Sequence, residues 1–281
     1  MIHVVLLTLR ELVRRRFVTG AAVATGLLIA ATGWGFSYLV RIRSHGHPIS
    51  HLEVLTMSAV LLILVAYLFS FLLAMAAVFI ATPSIAADIE SGVLLPVLAR
   101  PISRVAVIAG KAIALACAIA VYTVVTGACE FAVVRAATGY LPPYPAAMLG
   151  YLALSGIVMV ALALLLGTRM PALAGSIVAM GFFIVARLGG IAQGLGLHYG
   201  NQTVSGVATI TQLLLPSDAM WQEALYRLEP ASMIAAMSNS QQWPGPFFVL
   251  SPPPLAMVLW TIGWIAVAFA LSARSFQLRD L

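Results

Sequence analysis

Few residues in this chain can do chemistry. Its 281 residues include 15 Lys and Arg, 9 Asp and Glu and 5 His, so any place where charges gather is informative. The most informative gathering begins Asp88, Ile89, Glu90, Ser91, Gly92 and continues through an apolar stretch interrupted by Pro96 to Leu98, Ala99, Arg100, Pro101, Ile102, Ser103 and Arg104. Gly110 and Lys111 follow. Two carboxylates before a glycine, a short apolar segment that prolines break, and a closing basic pair describe a short helix at a membrane face, presented to something in the cytoplasm. An ordinary interfacial loop carries the same residue types, so the pattern alone leaves both readings open.

Two further charges stand inside apolar runs. Glu130 and Arg187 are costly in lipid and are expected to face protein, water or each other, the leading expectation being a structural ion pair. A contact with a polar substrate and snorkelling to the surface are the alternatives. His45, His47 and His51 cluster, and His198 stands apart. Imidazoles of this kind are the ligand type for a transition metal, but no cysteine or acidic residue completes a set and no metal is assigned. Cys117 and Cys129 are twelve positions apart, about 18 Å along a helix and beyond disulfide reach, and read as packing residues. No H-E-x-x-H, G-x-S-x-G or G-x-x-x-x-G-K-[ST] pattern occurs, so catalysis and ATP binding through a P-loop are not expected of this chain.

These residues must be positioned by elements that suit lipid. Hydrophobic residues make up 62% of the chain, charged residues 9%, and mean hydropathy is +1.04, too little polar material to cover a water-soluble core. Crossing a hydrocarbon core of about 30 Å takes about 20 apolar helical residues. Six stretches qualify: Phe17 to Leu39, Val54 to Thr82, Val105 to Val134, Pro145 to Gly167, Pro171 to Gly194 and Leu255 to Ser272. The expected fold class is therefore all-α, a polytopic membrane protein with six transmembrane helices.

Ahead of them, Ile2, Val5, Leu6, Leu9, Leu12 and Val13 recur at helical spacing with His3, Arg10, Glu11 and Arg14 between, which predicts an amphipathic helix over 1–16 lying on the inner surface. Arg14 to Phe17 and the run behind them resemble a twin-arginine export signal, but the run is too long and no A-x-A-like site follows, so it reads as a retained span. With a cytoplasmic N-terminus, Arg10, Arg14, Arg15, Arg16, Arg100, Arg104, Lys111, Arg169, Arg274 and Arg279 fall inside, and Arg41, Arg43, Arg135 and Arg227 outside. This satisfies the positive-inside rule and puts both termini in the cytoplasm, the address being the cell inner membrane. The positive charge follows membrane orientation and not nucleic acid.

Residues 195–254 form a polar interruption on the outer side, too long for a simple connection. Within it Ser217 or Asp218 is expected to cap a short helix bearing Trp221, Ala224, Leu225 and Leu228, ended by Pro230, with Trp221 and Tyr226 at the membrane interface. Three prolines, Pro252 to Pro254, lead into the last span. No second domain is expected: 1–281 reads as one unit, with 83–104 its cytoplasmic loop.

That loop resembles the type-2 ABC transporter permeases, whose pattern is E-x-E-x-G-T-L, then L-L-x-x-P-[IV]-S-R, then G-K in the third helix. Asp88, Glu90 and Gly92 match the first block, Leu98, Pro101, Ile102, Ser103 and Arg104 the second, Gly110 and Lys111 the third. Asp88 replaces a usual Glu, Val93 a usual Thr, and Pro96 is irregular. The resemblance extends to the topology, the long outer segment excepted. It implies a coupling helix, with Asp88, Glu90, Gly92, Leu98, Arg100, Pro101, Ser103 and Arg104 docking a separate ABC-type ATPase that carries the ATP and Mg. Two ATPases and two permeases, as homodimer or heterodimer, would make the transporter, an exporter working by alternating access. Gly26, Gly33 and Gly35 of the first span and Gly175 and Gly181 of the fifth would pack at the dimer interface. An extracytoplasmic protein on 195–254 is a further possible partner. The other functional classes are a secondary transporter or channel, which Glu130 and Arg187 would suit, and a membrane scaffold for an assembly complex such as metalloenzyme maturation.

Overall fold

The computed structural model describes all residues except 1, 15, 42, 45–46, 49, 91–103, 239–242, 244, 250 and 279–281. Among them run ten α-helices: α1 Ile2–Arg14, α2 Arg16–Leu39, α3 His51–Glu90, α4 Arg104–Thr138, α5 Pro145–Gly167, α6 Ala172–His198, α7 Gln202–Leu214, α8 Ser217–Leu228, α9 Ala231–Ser238 and α10 Leu255–Gln277. A small antiparallel ribbon, Arg43–Ser44 against His47–Pro48, joins α2 to α3. Six helices, α2 to α6 and α10, are long and apolar enough to cross a membrane, so the expected all-helical, six-span architecture is the one observed.

The boundaries differ most in α3, expected to stop at Thr82 before a proline. The helix passes through Pro83 and continues to Glu90. The extra turns are kept because Ser84, Ile85 and Ala86 are buried and because Lys111 of α4 donates to the Ser84 carbonyl. Packing thus offsets the hydrogen bond that a proline removes.

The bundle is built around α5, which carries no charged residue and buries Leu152, Val158, Met159, Val160 and Leu164 completely. A helix apolar all round belongs in the centre, and α3, α4, α8 and α10 surround it. Two glycines set how closely it is approached. A Cβ on Gly156 would lie 2.7 Å from Ile119, and one on Gly167 would lie 2.7 Å from the Thr82 carbonyl oxygen. The amphipathic α1 packs along α4, where Leu9 meets Cys117 and Tyr122. The Thr25 and Tyr122 hydroxyls bond to each other and tie α2 to α4. Cys117 and Cys129 are free and exposed on α4, so the reading of both as packing residues is corrected.

The segment between α6 and α10 does not stand away from the bundle. α7 runs back along α6: a Cβ on Gly196 would meet the Ser205 backbone at 2.7 Å, and one on Gly189 would meet the Thr211 hydroxyl at 1.9 Å. After Leu215 and Pro216 the chain reverses into α8, whose Ser217 carbonyl accepts from Ser155 at 2.9 Å, at the midpoint of α5. The far end of α8 reaches the α4–α5 connection, where Tyr140 donates to the Leu228 carbonyl at 3.4 Å. Helices α7 and α8 are therefore a hairpin that descends to the mid-length of the bundle and returns. Gly189, Gly190 and Gly196 on α6 make room for it. Trp221, expected at a lipid interface, is buried at 2% exposure in the bundle. Nor does Ser217 or Asp218 cap α8, whose first turn makes no side-chain cap bond.

Candidate functional site

Three polar constellations stand out, and the first lies where α3, α4, α6 and α10 end. Asp88 pairs with Lys111, which also donates to the Ser84 carbonyl. Lys111 is largely buried, its side chain 8% exposed, so the carboxylate supplies the counter-charge that a cation in this position requires. Two residues on, Glu90 Oε1 accepts from the Ala172 backbone N–H at 3.3 Å. That N–H opens α6, whose own preceding residue, Pro171, offers no side-chain cap. A carboxylate there meets both an orphan donor and the positive end of the helix dipole. Arg104, the first residue of α4, donates from Nη1 to the Gln277 carbonyl at 3.2 Å, at the C-terminal end of α10, where carbonyls lack intrahelical partners.

The sequence-predicted coupling residues thus divide. Asp88, Glu90 and Arg104 fasten helix ends to one another. Gly92, Leu98, Arg100, Pro101 and Ser103 lie outside the described residues. Lys111 was recognised only as half of a G-K pair. A lysine near the end of an apolar helix implies an acidic neighbour, and that signal pointed to Asp88.

The second constellation corrects the expected Glu130–Arg187 pair. Arg187 Nη1 donates to Asp218 Oδ1 at 3.1 Å and Nη2 to Ser70 Oγ at 3.1 Å, and both side chains of the pair are within 5% of full burial. The guanidinium is caged by Trp221, Phe183, Tyr67 and Phe71, its centre 4.7, 5.1, 5.5 and 5.9 Å from the ring centroids, a set of cation–π contacts that help to hold a charge away from water. Asp218 Oδ2 accepts from Gln222 at 2.9 Å. It fits beside α6 because position 190 is glycine: a Cβ there would lie 1.7 Å from Oδ2. The pair pins α8 to α6, and Ser70 adds α3. Sequence reading missed Asp218 because residues 195–254 were placed outside the bundle.

Glu130, third, is buried at 3% exposure, and neither carboxylate oxygen has a hydrogen-bond partner among the described residues. The Thr32 hydroxyl of α2 faces it but donates to the Leu28 carbonyl at 2.8 Å. The expectation that Glu130 faces protein holds, and its pairing with Arg187 does not. Of the histidine candidates, His45 and the side chains of His47 and His51 lie outside the described residues. Among those described, no group of three or more His, Cys, Asp or Glu side chains is arranged to hold a metal.

A family model for the ABC-2 family transporter proteins matches residues 14–281. The chain belongs to that family. A search of curated proteins returns no match. As an ABC-2 family membrane protein it has a permease role, and the six long helices are the spans such a role requires. The ABC-2 assignment covers the fastened helix ends, the caged ion pair and the hairpin alike, since the matched residues run unbroken through all three.

Proposed function

We propose that this ABC-2 protein is the membrane-spanning permease of an ATP-driven exporter whose ATPase, with its ATP and Mg, sits on a separate polypeptide that docks on residues 88–104. The observation that carries the reading is the fastening of both borders of segment 91–103. Asp88 and Glu90 tie its near border to α4 and α6, and Arg104 ties its far border to α10. A push on the segment is therefore delivered to four spans at once, α3, α4, α6 and α10, as rigid-body alternating access requires.

Both termini and this segment lie in the cytoplasm of a cell whose inner membrane the protein spans, in accord with the distribution of basic residues. The hairpin α7–α8 then enters from the outer side and reaches mid-membrane, its backbone satisfied by being helical and enclosed by protein. A second copy completes the pathway. Gly26 and Gly35 on α2 and Gly181 on α6 have nothing within 4 Å of a built Cβ, leaving small-residue faces for close approach.

The test is purification of the tagged chain from its host in gentle detergent, with mass spectrometry and an ATPase assay. A co-purifying P-loop ATPase, and loss of transport with normal membrane insertion in the double variant Glu90→Ala and Arg104→Ala, is the expected outcome. A chain that purifies alone and is inert toward ATP overturns the proposal.

A further inference from the structure

Between α6 and α8, beside Trp243, Phe248 and Val249, is a cavity of about 270 Å³. Its lining runs along α6 from Arg187 to His198. Gly190 and Gly194 of α6 give it room, Trp221 and Gln222 of α8 form the opposite wall, and Trp243 and Phe248 roof it. This size is near the lower end for small-molecule pockets, and the mixture of ring faces with a few polar groups is their usual lining.

The polar groups decide what it would take. At its inner end the Arg187–Asp218 pair balances its own charge: Asp218 has Arg187 on one oxygen and Gln222 on the other, and four rings surround the guanidinium, whose Nε–H makes no hydrogen bond among the described residues. A ligand with net charge would lose its water here and find no uncompensated carboxylate, lysine or arginine. Neutral hydrogen-bonding capacity is left over. Among the described residues Gln193 uses only Oε1, accepting from Gln212 at 2.6 Å, and Gln222 uses only Nε2. Among the described residues the Trp243 Nε1–H makes no hydrogen bond. Two indole faces, two half-used amides and an N–H donor suit a ring with hydroxyls at its edge and C–H groups on its face. Leu197, 68% exposed at the lining, leaves an apolar exit for an alkyl chain.

We infer that this cavity is a binding site for an uncharged, hydroxyl-bearing amphiphile of the alkyl-glycoside type, whether a free solute or the headgroup of a membrane glycolipid. The inference is independent of the ATPase reading, because binding can be measured on the permease alone, and either can fail without the other.

The experiment uses the full chain in nanodiscs, with empty nanodiscs as background. Thermal stability and tryptophan emission are followed against n-hexyl β-D-glucoside added from water, and separately against a long-chain glucosyl lipid built into the disc. Saturable stabilisation by either is expected, the responding probe telling solute from lipid. Hexyl sulfate and hexyltrimethylammonium should give none. Gly194→Phe fills the cavity beneath Trp243 and should weaken binding at least tenfold. A Cβ at 194 lies at ordinary contact, 3.5 Å from Trp243 Nε1, so Gly194→Ala keeps the fold as control. Trp243→Ala, on the roof, should weaken binding by the same order without crowding α6. No saturable response to either glycoside, undiminished binding in Gly194→Phe and Trp243→Ala, or equal binding of the charged probes overturns the inference.

Discussion

Replacing Arg187 with methionine leaves the Asp218 carboxyl, 3% exposed, without its cation. Removing one partner of a buried pair costs about 3–5 kcal/mol. Gln222 still bonds one carboxylate oxygen, which places the expected cost toward the lower end. The reverse change, Asp218→Asn, strands a guanidinium that four aromatic rings continue to face. Those contacts offset part of the loss, and about 3 kcal/mol is expected. In the double variant no charge remains to be compensated, and the cost should fall to about 2 kcal/mol or less. The shortfall from additivity, about 4 kcal/mol or more, is the coupling. Reversible unfolding in mixed micelles titrated with SDS measures it, with tryptophan emission reporting the release of Trp221. Arg187→Met combined with Glu130→Gln is the matched control and should be additive, because the two residues share no contact. Additivity within about 0.5 kcal/mol for the Arg187 and Asp218 changes, or strong coupling for Arg187 and Glu130, would refute the pairing described above.

Gly167→Ala should destabilise by about 1–3 kcal/mol in the same assay, since its Cβ would press on the Thr82 carbonyl at 2.7 Å, whereas Gly150→Ala, with nothing within 4 Å, should be neutral or slightly stabilising. Asp88→Asn, which leaves the buried Lys111 without a full counter-charge, should lose about 1–3 kcal/mol, while Glu90→Gln, at an exposed contact, should leave unfolding nearly unchanged and reveal itself only in transport. Glu229, at the end of α8, is pushed up to about 8 by burial, partly opposed by the bond it accepts from the Val249 N–H. The folded chain then holds a proton that the unfolded chain has released between about pH 4.5 and 8. Stability should fall as pH rises through that window, and Glu229→Gln should flatten the slope.

The six spans were legible because each is a long apolar run, and such runs have one stable form in lipid. The Glu130–Arg187 expectation went wrong for a definite reason. It paired the two charges that interrupt spans, on the premise that everything in 195–254 stays outside. Residues 202–228 are too short and too polar on average to announce themselves as membrane-embedded, and only the reciprocal requirement of Arg187 for an acid could have drawn Asp218 inward. Pro83 misled in the opposite direction. A proline is a strong stop signal in isolation, and what overrides it is a lysine on another helix that the local sequence does not reveal. Motif spacing singled out Asp88, Glu90 and Arg104, but the helix termini that Glu90 and Arg104 satisfy, at Ala172 and Gln277, lie 82 and 173 positions downstream of them and no local pattern connects them.

The length of α3 has a consequence for architecture. Its 40 residues extend about 60 Å, while a bilayer with its headgroups is about 40–45 Å thick. Glu90 lies against the first residue of α6, a span whose 27 residues extend about 40 Å, so the inner end of α3 is level with the start of a neighbouring span, and its surplus length is taken up by tilt or at the outer end. A protein that engages segment 91–103 would therefore meet the membrane face itself, on a platform where helix ends are tied to one another.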